Sequence, residues 1–182
     1  MMRLFLALVP PPVICQQLLL AMGGLPGARW QNEAQLHVTI RFIGETDRHV
    51  ADALVLALSR DRLPAISARL DGFGHFERRG RIDQLWAGLA PREPLAALQT
   101  RLDRLCVAWG MEPEGRRFVP HITLARFTRT HAPDVHRLAS WLSDQPPMTS
   151  AAFSFDRLLL IESILGAEGS SYAPVAEIGM RD

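Results

Sequence analysis

His37-Val38-Thr39-Ile40 and His121-Ile122-Thr123-Leu124 read alike: His, apolar, Thr, apolar. Their continuations also rhyme, Arg41-Phe42 in the first and Ala125-Arg126-Phe127 in the second. A β-strand sends successive side chains to opposite faces. In the first copy His37, Thr39 and Arg41 therefore share one face, while Leu36, Val38, Ile40 and Phe42 share the other. In the second, His121 and Thr123 oppose Ile122 and Leu124. One face of each strand is apolar and goes to a core; the other is polar and needs water, a partner or a ligand. Repetition of such a strand predicts two related α+β lobes of roughly 80–90 residues each. If the lobes face each other, two imidazoles and two hydroxyls meet in one cleft.

Working outward, residues of about 3–9 form an apolar strand, followed by a helix from Pro10 to about Met22 with proline in its first turn. A strand is expected at about 35–43. Thr46 or Asp47 can cap a helix over about 48–60, with Val50, Ala53, Leu54, Ala57 and Leu58 on one face. Strands follow at about 65–72 and 82–89. The second half repeats the order: a helix at about 93–109, a strand at about 117–127, a short helix at about 133–143, and strands at about 149–162 and 172–179. Terminal strands can cross between lobes, so the lobes need not be consecutive. The expectation is a single domain over residues 1–182, with antiparallel sheets, helices packed outside and a cleft between the lobes.

Composition narrows the chemistry. The chain has 182 residues, 48% of them hydrophobic and 21% charged, and a formal net charge of +1. That balance excludes a protein that coats nucleic acid by bulk charge. All 20 basic residues are arginine. Without lysine there is neither a phosphate-binding P-loop nor a lysyl-adenylate ligase. Anion recognition falls to arginine, backbone amides or helix ends. Cys15 and Cys106 sit in apolar helical patterns and read as buried free thiols. The segment Met1 to Val9 reads as a strand and not as a signal peptide, because Pro10-Pro11-Pro12 breaks it. No apolar stretch reaches membrane-spanning length, so a cytoplasmic protein is expected.

Two histidines suit attack on a cyclic phosphodiester. A neutral imidazole takes a proton from water, and an imidazolium gives one to the departing sugar oxygen. Threonine hydroxyls can donate to the non-bridging oxygens where charge builds up. The sequence offers no set of metal ligands beside either histidine, and no cofactor is expected. A lone His-x-Thr is weak evidence: roughly one chain in five of this length holds one by chance. Two copies with apolar residues interleaved in both are far rarer.

These residues resemble the 2H phosphoesterases, and among them the RNA 2′,3′-cyclic phosphodiesterases once described as 2′-5′ RNA ligases. The resemblance runs from Arg3-Leu4-Phe5-Leu6-Ala7-Leu8 through Leu36 to Gly44. It continues through Gly72-Phe73-Gly74, Leu85-Trp86-Ala87-Gly88 and Phe118 to Arg126, and ends with Ser163 and Tyr172. It implies a bilobal fold and hydrolysis of RNA 2′,3′-cyclic phosphate ends to 2′-phosphomonoesters without metal or cofactor. It also implies His37 as proton donor, His121 as proton acceptor, and Thr39 and Thr123 as phosphate holders. ATP-independent 2′-5′ ligation is the same site run backwards. The residues alone do not order the two histidines. The implied partner is RNA with cyclic phosphate ends, tRNA fragments among the candidates, and nothing demands more than a monomer. Cyclic phosphates of small nucleotides, 2′-5′ oligoadenylate, and a non-catalytic RNA- or nucleotide-binding module are the alternatives.

Further candidates for substrate binding are Arg126, Arg41, Phe5, Phe73, Tyr172 and Ser163. Arg126 matches a ligand-associated family arginine, yet simple alternation places it with Ile122 and Leu124. Arg41 has the polar parity and is its rival. Phe5 can stack a nucleobase, although a phenylalanine in an apolar strand is commonly core. Phe73, His75 and Phe76 with Arg78, Arg79 and Arg81 form an aromatic and basic segment that can grip RNA or simply be a solvated hairpin. Arg116 and Arg117 can extend a positive rim. His49, His131 and His136 lack partners and read as surface residues.

Overall fold

The computed structural model describes residues 1–166 and 169–181. Chain order is β1 (Met2–Leu8), α1 (Pro12–Leu20), β2 (Arg29–Trp30), a 3₁₀ turn (Glu33–Gln35), β3 (Val38–Thr46), α2 (Arg48–Arg60), β4 (Ile66–Glu77) and β5 (Ile82–Ala90). Then come α3 (Arg92–Ala108), β6 (His121–Arg126), α4 (Val135–Ser143), β7 (Phe153–Phe155), β8 (Arg157–Gly166) and β9 (Gly169–Gly179). The strands form two sheets, ordered β3-β1-β8-β9 and β2-β6-β5-β4-β7, with every ladder antiparallel. This is the α+β architecture expected of the sequence, and the C-terminal strands do cross back to the first sheet.

Several boundaries differ from the periodicity. The strand expected at about 149–162 is two strands: β7 joins the second sheet and β8 the first. The break falls at Asp156, where the chain changes sheet. The first His motif starts later than expected because Asn32 caps a 3₁₀ turn: the Asn32 amide donates to the Gln35 side chain at 3.0 Å. That turn delivers His37 to the mouth of β3. β4 runs five residues beyond its expected end, and its partner β5 meets it at a tight reversal. There the Arg78 amide donates to the Arg81 carbonyl at 2.7 Å and the reverse bond is 3.3 Å. Arg79 and Gly80 both take positive φ, 55° and 71°. This is a two-residue primed turn, whose sense matches strand twist. A non-glycine residue there costs about 1–2 kcal/mol.

One apolar cluster links the sheets to the helices. Leu4, Leu6 and Leu8 of β1, Leu54 and Leu58 of α2, and Leu98 and Leu102 of α3 belong to it, as do Ile122 and Leu124 of β6. Each such leucine contributes roughly 1.5–3 kcal/mol by leaving water. Alternate residues of β1 face the other way: Phe5 and Ala7 pack with Ile161 in a separate small cluster, beside Leu159 and Tyr172. Cys15 and Cys106 are buried free thiols, as read from their helical pattern.

Both His strands carry a β-bulge at the same offset. In β3, Ala7 pairs with Thr39 and Leu6 with Arg41, leaving Ile40 unpaired. In β6, Trp86 pairs with Thr123 and Leu85 with Ala125, leaving Leu124 unpaired. A bulge inserts one residue and reverses the alternation beyond it. Arg41 thus turns to the helix side, where it is 5% exposed and its Nε donates to Asp103 of α3 at 2.6 Å. Its other guanidinium nitrogens donate to the Phe42 and Glu112 carbonyls. Asp103 also accepts from the Glu114 amide at 3.0 Å. Arg41, expected as a substrate ligand by strict period two, is instead a strut between the first motif, α3 and the segment leading to the second. Removing one partner of a buried ion pair leaves an uncompensated charge. Arg41→Ala is expected to lose about 3 kcal/mol or more of stability, measured as a lower urea midpoint at unchanged slope.

Candidate active site

The first lobe builds its histidine from the backbone outward. His37 Nδ1–H donates to the Gln35 carbonyl at 2.8 Å, which leaves Nε2 as the acceptor for the Thr39 hydroxyl at 3.0 Å. The 3₁₀ turn that carries Gln35 is itself tied to β9, since the Gln35 side chain donates through Nε2 to the Ser170 carbonyl at 2.9 Å. Around the imidazole stand Phe5, with ring centres 5.0 Å apart, and Tyr172, edge-on at 5.1 Å. Phe5 also touches Phe42 at 5.9 Å and Tyr172 at 5.3 Å. Phe5 and Tyr172 thus wall the candidate site, and Ser163, paired with Tyr172 across β8 and β9, shares their face.

The second lobe repeats the anchoring and changes the surroundings. His121 Nδ1–H donates to the Val119 carbonyl at 2.6 Å. In both copies the accepting carbonyl lies two residues upstream, so both rings hold the same tautomer and turn Nε2 toward the cleft. Phe76 meets the His121 ring edge-on at 4.8 Å and Trp86 lies at 5.8 Å. Thr123 does not turn to its histidine; its hydroxyl donates to Gln84 Oε1 at 3.3 Å. Among the described residues the Nε2 of His121 has no hydrogen-bond partner.

The electrostatics place the two halves around one space. His37 is lowered to about 4, first by burial and then by the charges of Arg126 and His121, with the bond to Gln35 opposing. Burial also lowers His121, against the bond to Val119 and again with Arg126 contributing. Arg126 therefore acts on both imidazoles. Its alternation is corrected by the bulge at Leu124: Leu124 and Ala125 are both buried, and Arg126 returns to the His121 face opposite Gln84. The equivalent of Arg126 in the first lobe is Phe42, 44% exposed and also just past its bulge. The guanidinium of Arg116 lies 5.5 Å from its ring centre.

Phe73 is not brought into the cleft. β4 turns it to the helix side, where it packs edge-on against Trp141 of α4 at 5.6 Å. The cleft face of β4 is carried instead by Gly74 and, two residues on, by Phe76. Gly74 lies opposite Trp86, and a Cβ there would overlap the indole ring. The residues that sequence reasoning missed are Gln84 and Phe42, while Phe76 enters it only in the aromatic and basic segment and Trp86 only in the family resemblance, neither as a neighbour of His121. Gln84 and Trp86 sit two apart on an alternating strand, which was the available signal for both. Phe42 needed the bulge. Among the described residues, no three His, Cys, Asp or Glu side chains gather as a metal site would require. No described helix is long and apolar enough to cross a membrane.

Two antiparallel sheets that each offer a His and a Thr to a shared cleft define the class of fold. The chain belongs to the 2′-5′ RNA ligase superfamily, whose model matches residues 24–166. It is similar to the RNA 2′,3′-cyclic phosphodiesterase of Thermotoga maritima, 30% identical over 153 residues that cover 83% of this chain and 79% of the relative. The protein of the same name from Aeropyrum pernix is 28% identical over 160 residues, 87% of this chain and 89% of its own. The structure of Escherichia coli LigT complexed with 3′-AMP superposes with a TM-score of 0.80 at 25% identity, covering 100% of this chain and 99% of that one.

Gly74→Ala is expected to displace Trp86 and, through it, the His121 ring. Overpacking of this kind costs roughly 1–3 kcal/mol, read by thermal unfolding, and the turnover of the residual folded enzyme should fall about tenfold or more.

Proposed function

We propose that this protein hydrolyses 2′,3′-cyclic phosphate ends of RNA to 2′-phosphomonoesters, with the whole chain acting as one bilobal domain. The observation that carries the proposal is the matched anchoring of two histidines through Nδ1, each to the carbonyl two residues upstream, within the field of one arginine. Relatives named for this activity supply the substrate class.

The steps follow from the wiring. The open Nε2 of His121 accepts a proton from water, whose oxygen attacks phosphorus. The bond from phosphorus to the 3′ oxygen breaks, and His37 delivers a proton to that oxygen. Thr39 and Thr123 donate to the non-bridging oxygens, and Arg126 balances the developing charge. His37 is neutral in the free enzyme near pH 7, because burial holds it at about 4. The substrate phosphate is an anion beside it and favours imidazolium. The acid is thus charged mainly when there is something to protonate. Replacing water by a 5′-hydroxyl, with each histidine keeping its role, gives a 2′-5′ phosphodiester without ATP: His121 takes the hydroxyl proton and His37 protonates the departing 3′ oxygen. No metal ion takes part.

An oligoribonucleotide ending in 2′,3′-cyclic phosphate, incubated with the protein in EDTA, should yield the 2′-phosphate. His37→Ala and His121→Ala should each reduce the rate by about 10²–10⁴. RNA binding without turnover would favour the binding module instead.

The pH profile should be bell-shaped, and its position is set by the shifts. Both histidines are lowered in the free enzyme, so the protonated donor is depleted at a lower pH than for ordinary imidazole. The alkaline limb of kcat/KM should therefore fall below about pH 6.5. In kcat the same limb should move upward, because bound phosphate raises the donor. Profiles of both parameters with a cyclic-ended oligonucleotide check this.

A further inference from the structure

The cleft face of the second sheet is a ladder of cross-strand rows. His121 lies opposite Gly88, and Thr123 opposite Trp86, which in turn faces Gly74. The next row outward holds Arg126, Gln84 and Phe76. Beyond it stands the β4–β5 turn, where Arg78 and Arg81 pair. Arg78 follows Gly74 and Phe76 at period two, so it continues the cleft face. Two residues of strand span about 7 Å. The turn arginines therefore begin one row past Arg126.

Among the described residues no carboxylate balances their charge. Arg78, Arg79 and Arg81 are exposed, and none makes an ion pair among the described residues. Two of the nearby acids are engaged elsewhere: Glu77 faces His75 at 3.4 Å, and Asp134 accepts from the Arg137 amide at 2.8 Å; Asp83 Oδ1 is buried and pairs with none of the three arginines. Arg81 reaches the Arg129 carbonyl at 3.4 Å, and both line an open cavity of about 370 Å³ beside the turn. The net charge is only +1, so general basicity does not explain the cluster. Arg79 also sits with φ 55° at a position where a primed turn favours asparagine or glycine. Unfavourable backbone placements persist where a site requires them.

We propose that this turn anchors the phosphodiester backbone of the RNA strand whose cyclic end occupies the cleft. The inference rests on the reading of the cleft as a cyclic phosphodiesterase site, and it names what the enzyme holds beyond the terminal nucleotide. Arginine forks grip phosphate oxygens without reading bases. The strand is held by charge along its backbone, as in other single-strand grooves. The substrate is then an RNA chain in preference to a mononucleotide.

The test compares adenosine 2′,3′-cyclic phosphate with an octaribonucleotide bearing the same terminal nucleotide. The proteins are wild type and the triple variant Arg78→Ser, Arg79→Asn, Arg81→Ser. Wild type should show about tenfold higher kcat/KM on the oligonucleotide. The variant should lose about tenfold on it, through KM, and keep the mononucleotide rate. The salt slope of log KM should fall by about two, since each lost phosphate contact removes about 0.7 for a single strand. Thermal stability should not drop, because the change at position 79 supplies the residue this turn prefers. Equal losses on both substrates, or an unaltered oligonucleotide KM and salt slope, would overturn the proposal. If neither substrate turns over, the proposed function fails instead. The turn is then judged by fluorescence anisotropy of a 3′-phosphorylated octaribonucleotide: weaker binding by the variant supports it, and equal binding rejects it.

Discussion

The structure depends on the extra residue that directly follows His-x-Thr in each of two strands. Ile40 and Leu124 stand unpaired at equivalent points of β3 and β6. Ahead of each bulge the alternation gives His and Thr to the cleft. Past it, two consecutive residues go inward and the next comes out again. Ile40 with Arg41, and Leu124 with Ala125, are the inward pairs. Phe42 and Arg126 are the outward residues. A regular strand would have given the cleft Arg41 on one side and a buried apolar residue on the other. Bulges are common beside functional sites because they re-aim a side chain in this way.

The same frame, filled with different residues, separates two histidines that the motifs present as twins. Phe5 occupies in the first sheet the place that Gln84 holds in the second, each facing the residue just past the bulge. Phe5 offers no acceptor, so the Thr39 hydroxyl goes to His37. Gln84 offers one, and the Thr123 hydroxyl goes there. Among the described residues one imidazole is hydrogen-bonded at both nitrogens and the other at one. The imidazole bonded at both nitrogens also lies between Phe5 and Tyr172. Side chains on neighbouring strands, and not the motifs themselves, set the difference.

Much of this was legible in the chain. The helix over Arg48–Arg60 follows from its apolar spacing, and the duplicated His strands follow from period two. Burial of the two cysteines also follows from pattern. What periodicity could not deliver was any feature that interrupts it. A bulge leaves no compositional mark in Val38 to Phe42, so Arg41 appears polar-facing until its partner Asp103, far away in sequence, is seen. Phe73 misleads for a related reason: β4 is longer than its apolar stretch, and the face Phe73 takes is decided by its pairing with Ala87. The change of sheet at Asp156 is equally silent, since the residues on both sides of it are good strand formers.

The route of the backbone has a consequence for synthesis. The strand next to β1 is not only β3 but also β8, and β9 closes the edge. The second sheet draws β4, β5 and β6 from one nearly continuous stretch, so its assembly needs only modest loop closures. The first sheet must wait for residues 157–179 before β1 is covered on both sides. On the ribosome, where growth is vectorial, His121 therefore gains its surroundings before His37 does, although it is made later. Tyr172, which walls His37, and Ser170, which ties down the turn that carries it, both lie on β9. A nascent chain thus holds a half-built pair of acid–base groups until its closing hairpin pairs with β1.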